Sequence, residues 1–233
     1  MADAEKIKNV ARRIADVRDR GWSVVAVVSA MGNSTDELID LAQSVSFNPD
    51  PRELDLLLST GELVSCTLLT MALADLGQEA VSLTGSQAGI HTDTSYGRAR
   101  IHRVETARMK KELEEGRTVV VAGFQGITDG ENVTTLGRGG SDTTAVALAV
   151  ALKAARCEIY TDVEGVLTTD PSINEKAKKI DKISYEEMLE MASLGAKVMQ
   201  PSAVQTAMEQ KIPVHVLSLI HISEPTSPRL ISY

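Results

Sequence analysis

The run Thr134-Thr135-Leu136-Gly137-Arg138-Gly139-Gly140-Ser141-Asp142-Thr143-Thr144 holds the residue types best suited to chemistry in this chain. Its glycines let several backbone N–H groups converge on one point, because no Cβ blocks the necessary φ angles. The small apolar run Ala145 to Ala151 follows and reads as a helix. The start of that helix adds unpaired N–H groups and the positive end of its dipole. Arg138 adds a planar, permanently charged fork that suits a carboxylate or a phosphate. Ser141 and Asp142 are placed to cap the helix or to hold a ligand. A plain glycine turn capped by Ser141 is the bland alternative. The arginine between the glycines, and a second loop of the same kind, argue instead for an anion site.

The second loop is Thr161-Asp162-Val163-Glu164-Gly165-Val166-Leu167-Thr168-Thr169-Asp170-Pro171. It leaves the apolar run Cys157 to Tyr160, which reads as a buried strand. Ligands of open α/β sheets bind outside the carboxyl ends of strands, where this loop lies. Asp162 and Asp170 suit a nucleotide, a metal or the turn itself. For Asp170-Pro171 alone, the turn is the favoured reading.

The elements needed to position these loops follow from periodicity. Ile7, Val10, Ala11, Ile14 and Val17 recur at helical spacing, and Gly21 stops that helix. Trp22 to Val28 reads as a buried strand, and Thr35 begins a helix. Beyond Pro49 and Pro51, Leu54 to Leu58 and Leu63 to Leu76 read as two helices, the second nearly uncharged and buried. Ala80 to Leu83 is a short strand, and Gly85 to Tyr96 is polar and irregular. Ile101 to Val104 and Thr118 to Ala122 are strands on either side of an exposed helix, Glu105 to Glu115. Ser184 and Glu187 form a capping box for a helix through Ala192. Pro201 to Gln210 and Val214 to Val216 give the last helix and strand. Alternation of this kind predicts an α/β fold with a mainly parallel sheet and helices on both faces.

Composition narrows the class. The chain has 233 residues, 43% of them hydrophobic, and a formal net charge of −8. That length suits one α/β domain. The negative charge argues against nucleic acid as the main partner, so positive charge must be gathered locally at Arg138 and Lys197. Cys66 and Cys157 sit in apolar runs and are expected as buried free thiols, as in a reducing cytoplasm. No apolar run reaches transmembrane length, so no membrane partner is expected.

Taken together, these motifs resemble the catalytic domain of the aspartate kinase family within the amino-acid kinase superfamily. Ser29-Ala30-Met31-Gly32 with Thr35-Asp36-Glu37-Leu38 is similar to the first motif. Thr60-Gly61-Glu62, Leu83-Thr84-Gly85-Ser86-Gln87-Ala88-Gly89 and Gly123-Phe124-Gln125-Gly126 are similar to the next three. The two loops above complete the set. The resemblance implies a three-layer α-β-α sandwich over residues 1–216, without its first strand. It also implies that the lysine and glycine loop of the family's start is absent, so that the chain as written is inactive, and that the family's regulatory domains are absent. Residues 217–233 match nothing in the family and are read as a non-native tail. Leu217 to Ile222 can prolong the last strand, and the segment from Ser223 onward is expected to be disordered, because it offers no periodic apolar face.

The same resemblance implies transfer of the ATP γ-phosphate to the side-chain carboxylate of L-aspartate, giving 4-phospho-L-aspartate, with Mg²⁺ on the phosphates. This is the first step of lysine, threonine and methionine biosynthesis. Arg138, helped by Gly139, Gly140 and Ser141, meets the α-carboxylate. Glu62 meets the ammonium, and Ser29 and Thr35 complete the acceptor pocket. ATP falls to Ser29, Thr161, Asp162, Leu167, Thr168, Thr169, Asp170, Pro171 and Ser172, with Lys197 on a phosphate. Leu167 and Ser172 depart from the aromatic and arginine that the family places there. Asp142 orients the phosphate end of the site. No base is required, since the attacking carboxylate is already ionised. His91 and His102 are therefore left out of the chemistry. A cytoplasmic homo-oligomer is expected. The alternatives are a superfamily enzyme acting on glutamate, acetylglutamate, carbamate or UMP, and a non-catalytic regulatory subunit.

Overall fold

The computed structural model describes residues 3–161, 165–169, 174, 176–195 and 198–218. The chain divides into two compact units, Met1–Thr144 and Ala145–Tyr233. The expectations for Asp162, Asp170, Pro171, Ser172, Lys197 and the tail from residue 219 lie outside the described residues.

The first unit opens with helix α1, Ala4–Asp19, capped by the Asp3 carboxylate accepting from the Lys6 amide at 2.8 Å. Its buried stripe, Ile7, Ala11 and Ile14, has the helical spacing read from sequence. Strand β1, Val25–Val28, is followed by helices α2, Ser34–Val45, and α3, Pro51–Asp75. Strands β2, Ala80–Leu83, β3, Ile90–Thr92, and β4, Ile101–Val104, come next, then helix α4, Ala107–Glu114. Strands β5, Thr118–Ala122, β6, Gln125–Ile127, and β7, Val133–Thr135, complete the unit.

Two sheets result. In the order β1-β5-β2 every pairing is parallel, and central β5 is buried at all five residues. The order β4-β3-β6-β7 mixes antiparallel and parallel pairs. Residues Gly85 to Tyr96, expected to be irregular, contain β3, and β6 and β7 were not foreseen. These three strands have three residues each. Two side-chain alternations are too short a pattern to stand out from a polar loop. The first strand begins at Val25 rather than Trp22, whose side chain is 51% exposed.

A larger correction concerns α3. The two helices expected at Leu54 to Leu58 and Leu63 to Leu76 are one helix of 25 residues. Gly61 suggests a break because glycine is a poor helix former. Here it is buried, and a Cβ at Gly61 would stand 3.1 Å from the Ala30 Cβ. The residue is small so that the loop after β1 can lie against the helix. Nor is the second half wholly buried, since Val64 and Met71 are 53% and 62% exposed. By length and mean hydropathy (1.6 over its best window) α3 is apolar enough to cross a membrane. Its inward face, however, buries Asp55, Ser59, Glu62 and Ser65 beside Cys66, Leu69 and Leu73. The last three pack with Ile7, Ala11, Val28, Val120 and Ala122, which makes α3 the core helix of this unit.

Helix α5, Gly140–Leu152, begins at the end of the first unit and continues into the second. The second unit then forms β8, Cys157–Thr161, α6, Tyr185–Ser193, α7, Pro201–Gln210, and β9, Val214–Ser218. The two strands pair in parallel from Cys157↔Val214 to Thr161↔Ser218, so Leu217 and Ser218 belong to β9. Met188, Met199, Val204, Ala207 and Val214 are central to its core. The capping box is present: the Ser184 hydroxyl accepts from the Glu187 amide at 3.2 Å, and the Glu187 carboxylate accepts from the Ser184 amide at 3.0 Å. Ser184→Ala is expected to cost about 1 kcal/mol of stability. The check is a lower denaturation midpoint with faster amide exchange at Glu187.

Both cysteines are free and buried, as expected. Burial pushes the Cys66 thiol up to about 11, so it is protonated and inert at neutral pH.

Candidate functional site

Four motif loops of the first unit converge on one face of α3. At its middle, Glu62 is 3% exposed, and one carboxylate oxygen accepts the Ala30 amide at 3.1 Å. This holds the Ser29-to-Gly32 loop against the helix. The second oxygen, Oε2, is buried and has no hydrogen-bond partner among the described residues. Desolvation raises the Glu62 pKa to about 7 against the opposing pull of the Ala30 amide. A buried carboxylate with an empty acceptor position suits an incoming cation donor.

One turn earlier, the Ser59 carbonyl accepts from the Gln125 Nε2 at 2.9 Å. The Gln125 Oε1 accepts from the Gly85 amide at 3.2 Å, so one amide side chain joins the loops after β2 and β5 to the helix. One further turn back, Asp55 accepts from the Gly97 and Thr135 amides and from the Thr135 hydroxyl. Positions 55, 59 and 62 follow the spacing of one helical face.

The glycine loop runs from Thr135 to the start of α5. Gly137 and Gly139 have φ of +76° and +69°, where glycine alone is unstrained. A Cβ at Gly140 would stand 2.8 Å from the Leu136 Cβ and 3.0 Å from the Phe124 ring, so the loop folds tightly over Phe124. Phe124 itself holds φ of +67°, a strained conformation for a bulky residue. Its amide donates to the Thr144 hydroxyl at 3.2 Å, and its carbonyl accepts from the Leu136 amide at 2.8 Å. The turn is clasped between β5 and the first turns of α5, which holds this strained backbone in place.

Arg138 is exposed at the tip of this loop. Among the described residues its side chain has no hydrogen bond or ion pair, which leaves the whole guanidinium fork for an external anion. Asp142, in the first turn of α5, likewise has no side-chain partner among the described residues. Desolvation raises its pKa to about 6. Ser141 is half-buried beside Gly123, Thr35 lies half-buried in the first turn of α2, and Ser29 is exposed. The expected acceptor residues all belong to this unit.

Of the residues expected to meet the nucleotide, Thr161 ends β8 and is half-buried. Leu167 pairs with Lys179 in an antiparallel bridge, and the Thr168 hydroxyl accepts from the Lys178 amide at 3.0 Å. The Thr168 amide donates to the Lys178 carbonyl at 2.9 Å. Thr169 is half-buried. The segment Val166 to Thr168 is therefore shaped by the strand-like segment Lys178 to Ile180, a partner that loop composition does not disclose. Among the described residues there is no group of three His, Cys, Asp or Glu side chains able to cage a metal.

Sequence reasoning overlooked Asp55, Ser59 and the Gln125 side chain. The signal was present: Asp55 and Glu62 are seven residues apart, on one face of a single helix. Splitting α3 at Gly61 concealed it.

A profile of the amino acid kinase family matches residues 1–218. The chain belongs to the amino acid kinase family. Its sequence is 56% identical over 214 residues to the aspartokinase of Geobacillus stearothermophilus, covering 92% of this chain and 53% of that protein. Its fold matches the crystal structure of aspartate kinase from Synechocystis with a TM-score of 0.85 at 48% identity, covering 99% of this chain and 37% of that one. Escherichia coli aspartokinase III in complex with aspartate and ADP matches with a TM-score of 0.75 at 34% identity, over 85% of this chain and 45% of that one. The expected α/β amino-acid kinase fold is thus the observed one. The chain spans about half the length of the curated relatives it matches.

Proposed function

We propose that this chain carries the substrate-binding residues of an aspartate kinase, which transfers the ATP γ-phosphoryl to the β-carboxylate of L-aspartate. The observation that carries the reading is the buried Glu62 Oε2, which has no hydrogen-bond partner among the described residues. An α-ammonium would supply the missing donor and the compensating charge. The guanidinium of Arg138 would take the α-carboxylate in bidentate fashion, leaving the β-carboxylate to react. Ser29, Thr35 and Ser141, with the Gly139 and Gly140 amides, would line the remainder.

In the reaction a β-carboxylate oxygen forms a bond to the γ-phosphorus while the bond to the ADP oxygen breaks, and no proton moves. Catalysis then rests on position and charge rather than on a base. Asp142 would orient the cationic groups around the phosphoryl. ATP would lie on the Thr161 and Val166-to-Thr169 segments, with Asp162, Asp170, Pro171, Ser172 and Lys197 completing the site. Mg²⁺ would arrive on the ATP phosphates and keep water ligands. The similarity to aspartokinases supports biosynthesis of the aspartate-derived amino acids as the setting, in a cytoplasmic homo-oligomer, with residues 1–216 as the kinase domain.

Ligand-induced thermal stabilisation tests the reading. L-aspartate is expected to raise the melting temperature in a saturable way, and L-glutamate and UMP to leave it unchanged. Stabilisation by UMP without any by aspartate would assign the chain to another branch of the family.

A further inference from the structure

Asp55 is 1% exposed, carries no cation, and is not the cap of its helix, since Asp50 accepts from the Arg52 and Glu53 amides. A lone buried carboxylate is expensive unless donors surround it. Here the donors come from two separate segments. The Gly97 amide donates to both oxygens at 3.0 and 2.9 Å. The Thr135 amide donates at 2.8 Å and the Thr135 hydroxyl at 2.7 Å. Thr135 is the last residue before the glycine loop, and its carbonyl accepts from the Ala99 amide at 2.9 Å. Across the same junction, a Cβ at Gly137 would meet the Gly97 carbonyl oxygen at 3.0 Å. The Gly97-to-Ala99 turn and the root of the glycine loop are therefore packed on each other and tied to one carboxylate.

Arg138 lies three residues beyond Thr135 and has no side-chain partner among the described residues, so its location depends on the backbone that carries it. We infer that Asp55 is a positioning residue for the acceptor site: it anchors the root of the glycine loop to α3 and thereby sets where the Arg138 guanidinium stands. Glu62 is seven residues further along the same helix, about 10 Å. One rigid element would thus fix the distance between the groups that meet the acceptor's carboxylate and ammonium. The inference rests on the proposed role of Arg138.

The test is Asp55→Asn, which keeps the shape but turns an NH₂ group toward amide donors, in protein that carries the family's amino-terminal lysine and glycine loop together with residues 1–218. Loss of a charged acceptor should raise KM for aspartate about tenfold or more and leave KM for ATP within about twofold. Exchange of the Leu136 and Gly140 amides, which bond Phe124 and Gly137, should quicken by a similar factor while α3 amides remain protected. In an Arg138→Lys background the same change should add little, because both act through one guanidinium. Thr135→Val, which removes only the hydroxyl, should move KM for aspartate in the same direction by less, and serves if Asp55→Asn does not fold. A lower melting temperature with an unchanged KM ratio and unchanged Leu136 exchange would overturn the inference. If Arg138→Lys alone leaves KM for aspartate unaltered, the reading of Arg138 fails. The exchange rates then still decide whether Asp55 holds the loop.

Discussion

Arg138→Lys is expected to raise KM for aspartate by roughly 10- to 100-fold while KM for ATP stays within about twofold, in protein that carries the family's amino-terminal lysine and glycine loop together with residues 1–218. The size follows from geometry. A guanidinium presents two parallel N–H donors to a carboxylate, whereas an ammonium keeps the charge and loses the fork. Because Arg138 is exposed and has no side-chain partner among the described residues, the change removes no fold contact, and the melting temperature should be nearly unaltered. Steady-state kinetics with each substrate varied in turn supply the check. Equal effects on both substrates, or none, would remove Arg138 from the acceptor site.

Glu62→Gln is expected to abolish measurable aspartate binding at neutral pH and at the same time to stabilise the ligand-free protein. The sign follows from the raised pKa. With the folded value near 7 against an ordinary 4.5, the native state holds the proton more tightly than the unfolded chain. Stability from this group is full below pH 4.5 and is lost as pH rises through about 7. Above that range, the ionised Glu62 costs the free protein up to about 3 kcal/mol, which glutamine avoids. Ligand binding should show the converse. An arriving ammonium favours ionised Glu62, so binding releases a proton near pH 7, and affinity for aspartate should rise with pH and level off above it. Calorimetry in buffers of different ionisation enthalpy measures that proton. A Glu62→Gln variant that retains wild-type affinity, or is less stable at pH 8, would contradict this assignment.

The legibility of the site varied with the length of the pattern. The glycine loop and its helix stand out because conformational demand and charge coincide within a few adjacent residues. The capping box at Ser184 and Glu187 was equally plain, since each partner lies one turn from the other. Helices α1 and α7 announced themselves through several turns of regular spacing. By contrast, β3, β6 and β7 have three residues each and gain their hydrogen bonds only from one another, so no local preference betrays them. The helix Glu105 to Glu115 read as exposed. Glu112 is instead 9% exposed and accepts from the Arg117 guanidinium at 2.6 Å, a pairing that only the fold of the chain after α4 creates.

The sequence by itself determined the α/β class, the burial of both cysteines and the placing of an arginine among three glycines at the start of a helix. These depend on residue type and near-neighbour spacing, which the chain carries wherever it folds. Tertiary structure alone decided that Thr60-Gly61 lies within a continuous helix. The cost of a helical glycine is about 1 kcal/mol and is outweighed when its bare Cα lets another segment pack closely. Packing also left one oxygen of Glu62 buried with no hydrogen-bond partner among the described residues, and gathered Gly97 and Thr135 around Asp55. Those donors stand 42 and 80 residues away along the chain. A hydrogen bond acts over about 3 Å of space whatever the separation in sequence, so only the folded chain reveals which carboxylate is satisfied and which keeps an unpaired oxygen.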